Sequence, residues 1–311
     1  MHQTPQGMWG EIVPNWNQVL KEIQSIHIDH PIDSVRRKYL KQLSKYTGRA
    51  TIAYYSGWLD ARSQSPILIV NDEDKNAFMS VVHKANRDVG LDLILHTPGG
   101  NIAAAESIVN YLRQMFGSNV RAIIPQLAMS AGTMIACSCN QIIMGKQSNI
   151  GPIDPQVNGI PASGVIEEFE TAIDTIKKNP QATPMWQAII GKYHPTFLGE
   201  CQKAIEWSKQ ITKEWLVTGM FEGNPNANDI ASIIVENLSD HDETKSHSRH
   251  IHVDACETMG LNILRMEEDD KLQDLILTTH HAFMHTFSGS DALKIVENER
   301  GISMVRRERL S

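Results

Sequence analysis

The chain has 311 residues, 41% hydrophobic and 21% charged, ordinary globular values that allow one large domain or two small ones. A net charge of −7 argues against nucleic acid as a main partner. Cys137, Cys139, Cys201 and Cys256 match no zinc spacing and read as buried thiols of a reducing compartment.

The N-terminus, Met1-His-Gln-Thr-Pro5, shows neither the basic nor the apolar region of a signal peptide. No uncharged apolar run reaches the roughly 18–20 residues of a spanning helix. A soluble, cytoplasmic chain is therefore expected.

In chain order, residues 15–47 read as helical, with apolar positions at Val19, Leu20, Ile23, Val35, Leu40 and Leu43, and Pro31 divides them into two pieces. Ala50–Ser56 is a β-type run. A short loop leads to the apolar stretch Pro66–Val70. Asn71-Asp72 signals the start of a helix over Asp74–Val89, which Gly90 ends. Leu91–His96 is a buried strand, 103–116 a helix and Val120–Ile124 another strand. Ala131–Cys139 is a short helix and Gln141–Met144 a further strand. Alternation of this kind predicts βαβ units and a mainly parallel sheet. After residue 150 the pattern turns helical, over 165–178, 196–221, 230–238, 253–259 and 272–287.

Sites in parallel sheets lie at the carboxyl ends of strands. Two segments stand there. Leu93-Ile-Leu-His-Thr-Pro-Gly-Gly100 runs a strand into a glycine turn. Pro125-Gln-Leu-Ala-Met-Ser-Ala-Gly-Thr-Met-Ile-Ala136 places Ser130 between a strand and a helix of small residues. A lone serine beside glycine is usually structural, and most Pro-Gly-Gly segments are only turns. Together they offer a nucleophile on a strand–turn–helix corner, an N–H from Ala131 and an N–H from Gly99 or Gly100 for an oxyanion.

These segments, followed by Ile150-Gly-Pro-Ile-Asp-Pro-Gln156, resemble the Clp-protease/crotonase superfamily. Within it the chain is most similar to the serine dehydrogenase proteinase family, related to signal peptide peptidase A. The likeness covers roughly residues 48–265. It implies an α/β fold made of a spiral of ββα units, Ser130 as nucleophile, an oxyanion hole from Gly99, Gly100 and Ala131, and assembly into homo-oligomers. The expected division is a helical N-terminal segment (1–47), the peptidase domain (48–265) and a C-terminal helix and tail (266–311).

The general base departs from the Clp pattern, because Asp154 stands where the resemblance would place a histidine. Signal peptide peptidases use a lysine instead, which must be desolvated to be neutral near pH 7. Lys209 and Lys213 are the leading candidates, on one helical stripe with Ile205, Leu216 and Met220. The alternative is two snorkelling surface lysines. Lys177, Lys178 and Lys192 are lesser candidates. His241, His247, His250 and His252 offer a crude ligand spacing or an alternative base but read as a wet polar loop; the resemblance implies no metal, and the expected chemistry needs no cofactor. Trp207 and Trp215 read as core or oligomer packing.

The expected function is an ATP-independent serine peptidase of Ser-Lys type acting on polypeptides. The alternatives are a catalytically silent scaffold on the same fold and acyl-CoA chemistry. The expected absence of a transmembrane segment departs from the membrane-anchored signal peptide peptidases and leaves a membrane-associated partner open.

Overall fold

Period-two alternation sorts the strand side chains onto two faces of one sheet. Ile52, Tyr54, Leu93, Leu95, Ala122, Ile124, Ile142 and Met144 pack into one apolar cluster, while Ala53, Tyr55, Ile94, Ile123 and Ile143 pack into another. With helices over both faces, the result is a three-layer α/β arrangement. The structure is a computed structural model that describes residues 15–60, 65–239 and 249–307.

The described chain begins with α1 (Trp16–Ser25) and α2 (Pro31–Thr47), separated at Pro31, which starts α2 because its missing N–H is no loss in a first turn. There follow β1 (Ala50–Ser56), α3 (Asp74–Val82), β2 (Leu91–His96), α4 (Ile102–Phe116), β3 (Val120–Ile124) and β4 (Leu127–Ala128). Next are α5 (Ala131–Cys137), β5 (Gln141–Met144) and β6 (Asn149–Ile150). A small hairpin, β7 (Gln156–Val157) and β8 (Ile160–Pro161), leads into α6 (Ala162–Lys178), α7 (Thr183–Ile190), α8 (Phe197–Trp215) and α9 (Ala227–Ser239). The last elements are β9 (Ile251–His252), α10 (Val253–Met259), β10 (Ile263–Arg265), α11 (Asp270–Gly289), β11 (Ala292–Asn298) and β12 (Ser303–Arg307).

The main sheet has the order β10-β5-β3-β2-β1-β11-β12. From β10 to β1 every pairing is parallel, as the βα alternation predicts. The C-terminal strands are antiparallel, β11 to β1 and β12 to β11. A second sheet, β4-β6-β9, stands beyond the carboxyl ends of the main strands. The architecture is thus α/β with mixed sheets and helical segments, consistent with a Clp/crotonase-like fold.

In the apolar stretch Pro66–Val70 only Val70 pairs, through a single bridge to Gly100. One local expectation is corrected. The C-terminal residues beyond α11 are not merely a tail, because 292–298 and 303–307 are strands of the main sheet. The N-terminal helices are bound to that same edge. Glu297, fully buried, accepts from Arg36 Nε at 2.6 Å and from Arg37 Nε at 2.7 Å.

Candidate active site

Ser130 sits at the corner between β4 and α5 with φ 51° and ψ −117°, a conformation non-glycine residues seldom adopt. Three backbone bonds hold the corner. Thr97 N–H donates to the Leu127 carbonyl at 3.1 Å, Met129 N–H to the Thr97 carbonyl at 3.0 Å, and Gly132 N–H to the Met129 carbonyl at 2.7 Å. Gly132 must be small, because a Cβ there would stand 2.5 Å from the Thr97 methyl.

The glycine turn lies directly against this corner. A Cβ on Gly99 would stand 2.5 Å from the Met129 carbonyl oxygen, 2.6 Å from Ser130 Cβ and 2.9 Å from the Ala131 nitrogen. Gly99 also has φ +92°, which disfavours any side chain. Sequence reasoning had these two segments as neighbours, and the structure brings Gly99, Gly100, Ser130 and Ala131 together.

The two glycine amides have different surroundings. Gly99 N–H donates to Thr97 Oγ1 at 3.2 Å. The Gly99 carbonyl and the Asn101 N–H both bond Val70, at 2.8 and 2.9 Å. Groups alternate in direction along an extended chain, so the Gly100 N–H turns away from Val70. Ala131 N–H opens α5, where first-turn amides have no intrahelical acceptor.

Ser130, half-buried, opens into a groove of about 500 Å³. Pro98, Gly99, Gly100 and Asn101 form one wall; Ile69, Ile102, Met134, Ile153, Ala204 and Trp207 supply apolar surface; Gln156 and Gly159 of the β7–β8 hairpin form part of the rim. Of the two tryptophans expected in core or oligomer packing, Trp215 is buried, whereas Trp207, 39% exposed, lies outside the core and lines the groove. Ser208, next to Trp207, fixes α8 against this region by donating to the Ile153 carbonyl at 2.6 Å. No sequence motif marks Trp207, because its role comes from α8 crossing a groove made elsewhere in the chain.

The candidate bases are spread out. Lys209 lines an adjoining cavity of about 300 Å³ with Asp154, Ser163, Glu167, Ser208 and Glu236. Ile153 and Pro155 border both spaces. Lys213, half-buried one turn further along α8, lines neither. Lys177, Lys178 and Lys192 are exposed surface residues. Asp154 is 3% exposed and accepts from Ser163 Oγ at 3.5 Å.

His250 and His252 are exposed, and His241 and His247 lie outside the described residues. Among the described residues no group of three His, Cys, Asp or Glu side chains has a metal-holding arrangement. All four cysteines are buried and unpaired, as their composition suggested. Burial pushes the Cys139 and Cys256 thiols up to about 12, which leaves them poor nucleophiles at neutral pH. Among the described residues no helix is long and apolar enough to cross a membrane.

Comparison with known proteins adds a family. The model of the ClpP-like SDH-type serine proteinases matches residues 65–263, more than half of the chain and all of the groove. Two uncharacterized proteins of Methanocaldococcus jannaschii are similar, one 38% identical over 98 residues and the other 37% identical over 97. These matches cover 32% and 31% of this chain, and it spans only about a third of each relative, 34% and 33%. No solved structure matches this chain.

Proposed function

Because this chain belongs to the ClpP-like SDH-type serine proteinases, we propose that the Ser130 groove is the active site of an ATP-independent serine peptidase. The observation that carries the reading is the packing of the Gly99-Gly100 turn against a strained serine at a helix start. On this reading the Ser130 hydroxyl works in the groove, with the Gly100 and Ala131 amides as its neighbours.

In this mechanism Ser130 Oγ attacks a peptide carbonyl carbon. A neutral lysine takes the hydroxyl proton and returns it to the leaving amine. The Gly100 and Ala131 N–H groups hold the tetrahedral oxyanion, each such donor contributing about 2.7–4 kcal/mol in comparable sites. Water then attacks the acyl-enzyme by the same route in reverse. Lys209 is the preferred base, since its cavity adjoins the groove through Ile153 and Pro155. Lys213 is the second choice. No cofactor takes part. Unfolded or extended polypeptides are the proposed substrates, because the groove is open and largely apolar.

Three coarser proposals accompany this one. The main and small sheets are read as successive turns of a ββα spiral. Strands β2, β3 and β5 each run on into a short pairing segment, at Thr97, β4 and β6, that builds the second layer. The protein is proposed to be cytoplasmic and to form homo-oligomers. Helix α7 supports assembly, since none of its residues is buried and Met185 is 54% exposed.

Hydrolysis of an unfolded polypeptide such as casein tests the reading. Ser130→Ala is expected to abolish turnover, and Lys209→Met to lower it by about 100-fold or more. If Lys213→Met has that effect instead, the base is Lys213. Turnover by Ser130→Ala at the parental rate would remove the proposal. Asp154 motivates the competing reading, a silent scaffold, which requires that the parent shows no hydrolysis under any condition where it is folded.

A further inference from the structure

Lys294 is a charged side chain in the wrong place for ordinary folding. It lies on β11, opposite Ser56, and is 1% exposed. Burying an ammonium has a large desolvation cost, and an apolar residue would fill the same space without it. Desolvation accordingly lowers its pKa from the usual lysine value, opposed by the neighbouring Asp74 carboxylate.

All three ammonium protons have acceptors. Lys294 Nζ reaches Asp74 Oδ1 at 2.8 Å, Asp74 Oδ2 at 2.9 Å and the Ile69 carbonyl at 2.7 Å. Asp74, 4% exposed, also accepts from Tyr54 Oη at 2.7 Å and from Asn71 N–H at 3.0 Å. The ion pair thus grips the tripeptide Ile69-Val70-Asn71 at both ends, by the Ile69 carbonyl and the Asn71 amide.

The middle residue faces the other way. Val70 N–H donates to the Gly99 carbonyl at 2.8 Å, and the Val70 carbonyl accepts from Asn101 N–H at 2.9 Å. A Cβ on Gly100 would stand 2.5 Å from both the Val70 nitrogen and its carbonyl oxygen. One edge of the segment is clamped by the buried pair and the other edge holds the glycine turn.

We infer that Lys294 and Asp74 are positioning residues for the oxyanion turn: through Ile69–Asn71 they fix where the Gly100 N–H lies relative to Ser130. The inference rests on the peptidase reading of that groove. It gives the C-terminal hairpin a part in the site, although no residue of β11 lines the groove.

The test uses Lys294→Met/Asp74→Asn, since Lys294→Met alone would strand the Asp74 charge. Lys294→Gln/Asp74→Asn is the second variant; it is also neutral but keeps a donor for the Ile69 carbonyl. Two readouts are taken. Amide hydrogen exchange follows Val70 and Asn101, with Ile123 and Ile143 of the central strands as reference. Fluorophosphonate labelling is resolved into its maximal rate and its half-saturating concentration.

The Met/Asn variant is expected to lose about tenfold or more of the protection at Val70 and Asn101 while the reference strands keep theirs. Its maximal labelling rate is expected to fall about tenfold with half-saturation within about twofold of the parent. The Gln/Asn variant is expected to recover most of both. Unchanged protection at Val70 and Asn101 overturns the inference, whatever labelling does. So does lost protection with a parental labelling rate. A parent that does not label refutes the peptidase reading instead, and hydrogen exchange then still decides whether the clamp holds the turn.

Discussion

At Ser130 the backbone stores strain, φ 51° with ψ −117° on a residue that has a Cβ. Such conformations cost on the order of 1–3 kcal/mol and persist where the surroundings impose them. Stability and activity should therefore separate at this position. Ser130→Gly is expected to be more stable than Ser130→Ala by about 1 kcal/mol, with neither variant turning over substrate. Urea unfolding of the two proteins checks this, and equal midpoints would mean that the corner is relaxed. Gly99 carries the opposite constraint. Gly99→Ala forces a methyl to within 2.6 Å of Ser130 Cβ and 2.5 Å of the Met129 carbonyl oxygen. It should destabilise the fold by about 2 kcal/mol or more and abolish labelling, by thermal denaturation and probe assay; a stable, active variant would show that the turn and the serine are not in contact. Both positions were legible in the sequence, because a small-residue helix start and a Pro-Gly-Gly turn are local signals. The clamp was not. Lys294 and Asp74 are remote in sequence, and nothing in either neighbourhood says that two charges will meet in the core.

Between elements, β1 and β2 meet α11 through aromatic rings as well as aliphatic side chains. Tyr55 stacks on Phe283 at 4.1 Å and on His96 at 5.3 Å, and Trp58 lies 4.4 Å from His96. His96 is fully buried, with Nδ1 3.2 Å from the Ser56 carbonyl and Nε2 3.1 Å from Gln126 Oε1. Burial lowers its pKa from 6.5 to about 4, and His280 beside it is lowered too. A folded pKa below the unfolded one means that the unfolded chain binds more protons between those values. This contribution to stability is complete above pH 6.5 and is lost as pH falls toward 4, about 3 kcal/mol at most for His96. The expected outcome is a fall in urea stability from pH 7 to 4.5 that is shallower in His96→Gln. Parallel pH profiles would show that the ring protonates freely in the folded protein. The strands were readable here as buried apolar runs. The hairpin β11–β12 was missed because Lys294 and Glu297, both buried, interrupt the apolar pattern of Ala292–Asn298. In Pro66–Val70 the apolar residues serve one bridge and the groove.

For the whole molecule, the residues matched by the family model end at 263, but the sheet does not. Strand β11 completes the edge of β1, supplies Lys294 to the clamp, and pairs Glu297 with Arg36 and Arg37 of α2. A chain truncated after residue 290 would expose a long β1 edge and leave Asp74 and Arg36 without their buried partners. Losing one partner of a buried pair typically costs about 3–5 kcal/mol, and two pairs are lost here. The truncated chain is expected to be insoluble or to lack cooperative unfolding by circular dichroism. Cooperative unfolding at the parental temperature would show that the hairpin is an accessory. The same reasoning expects a 48–265 fragment to fail, although sequence likeness alone would draw the boundary there. Sequence motifs mark the residues proposed for the chemistry; the residues that pack and pair around them are dispersed over the whole chain.

Fluorophosphonate labelling followed by peptide mass mapping bears most directly on Ser130 as an activated nucleophile. The account predicts one adduct per chain, on Ser130, that is absent from Ser130→Ala. An adduct elsewhere, or none on a folded and assembled parent, would contradict it.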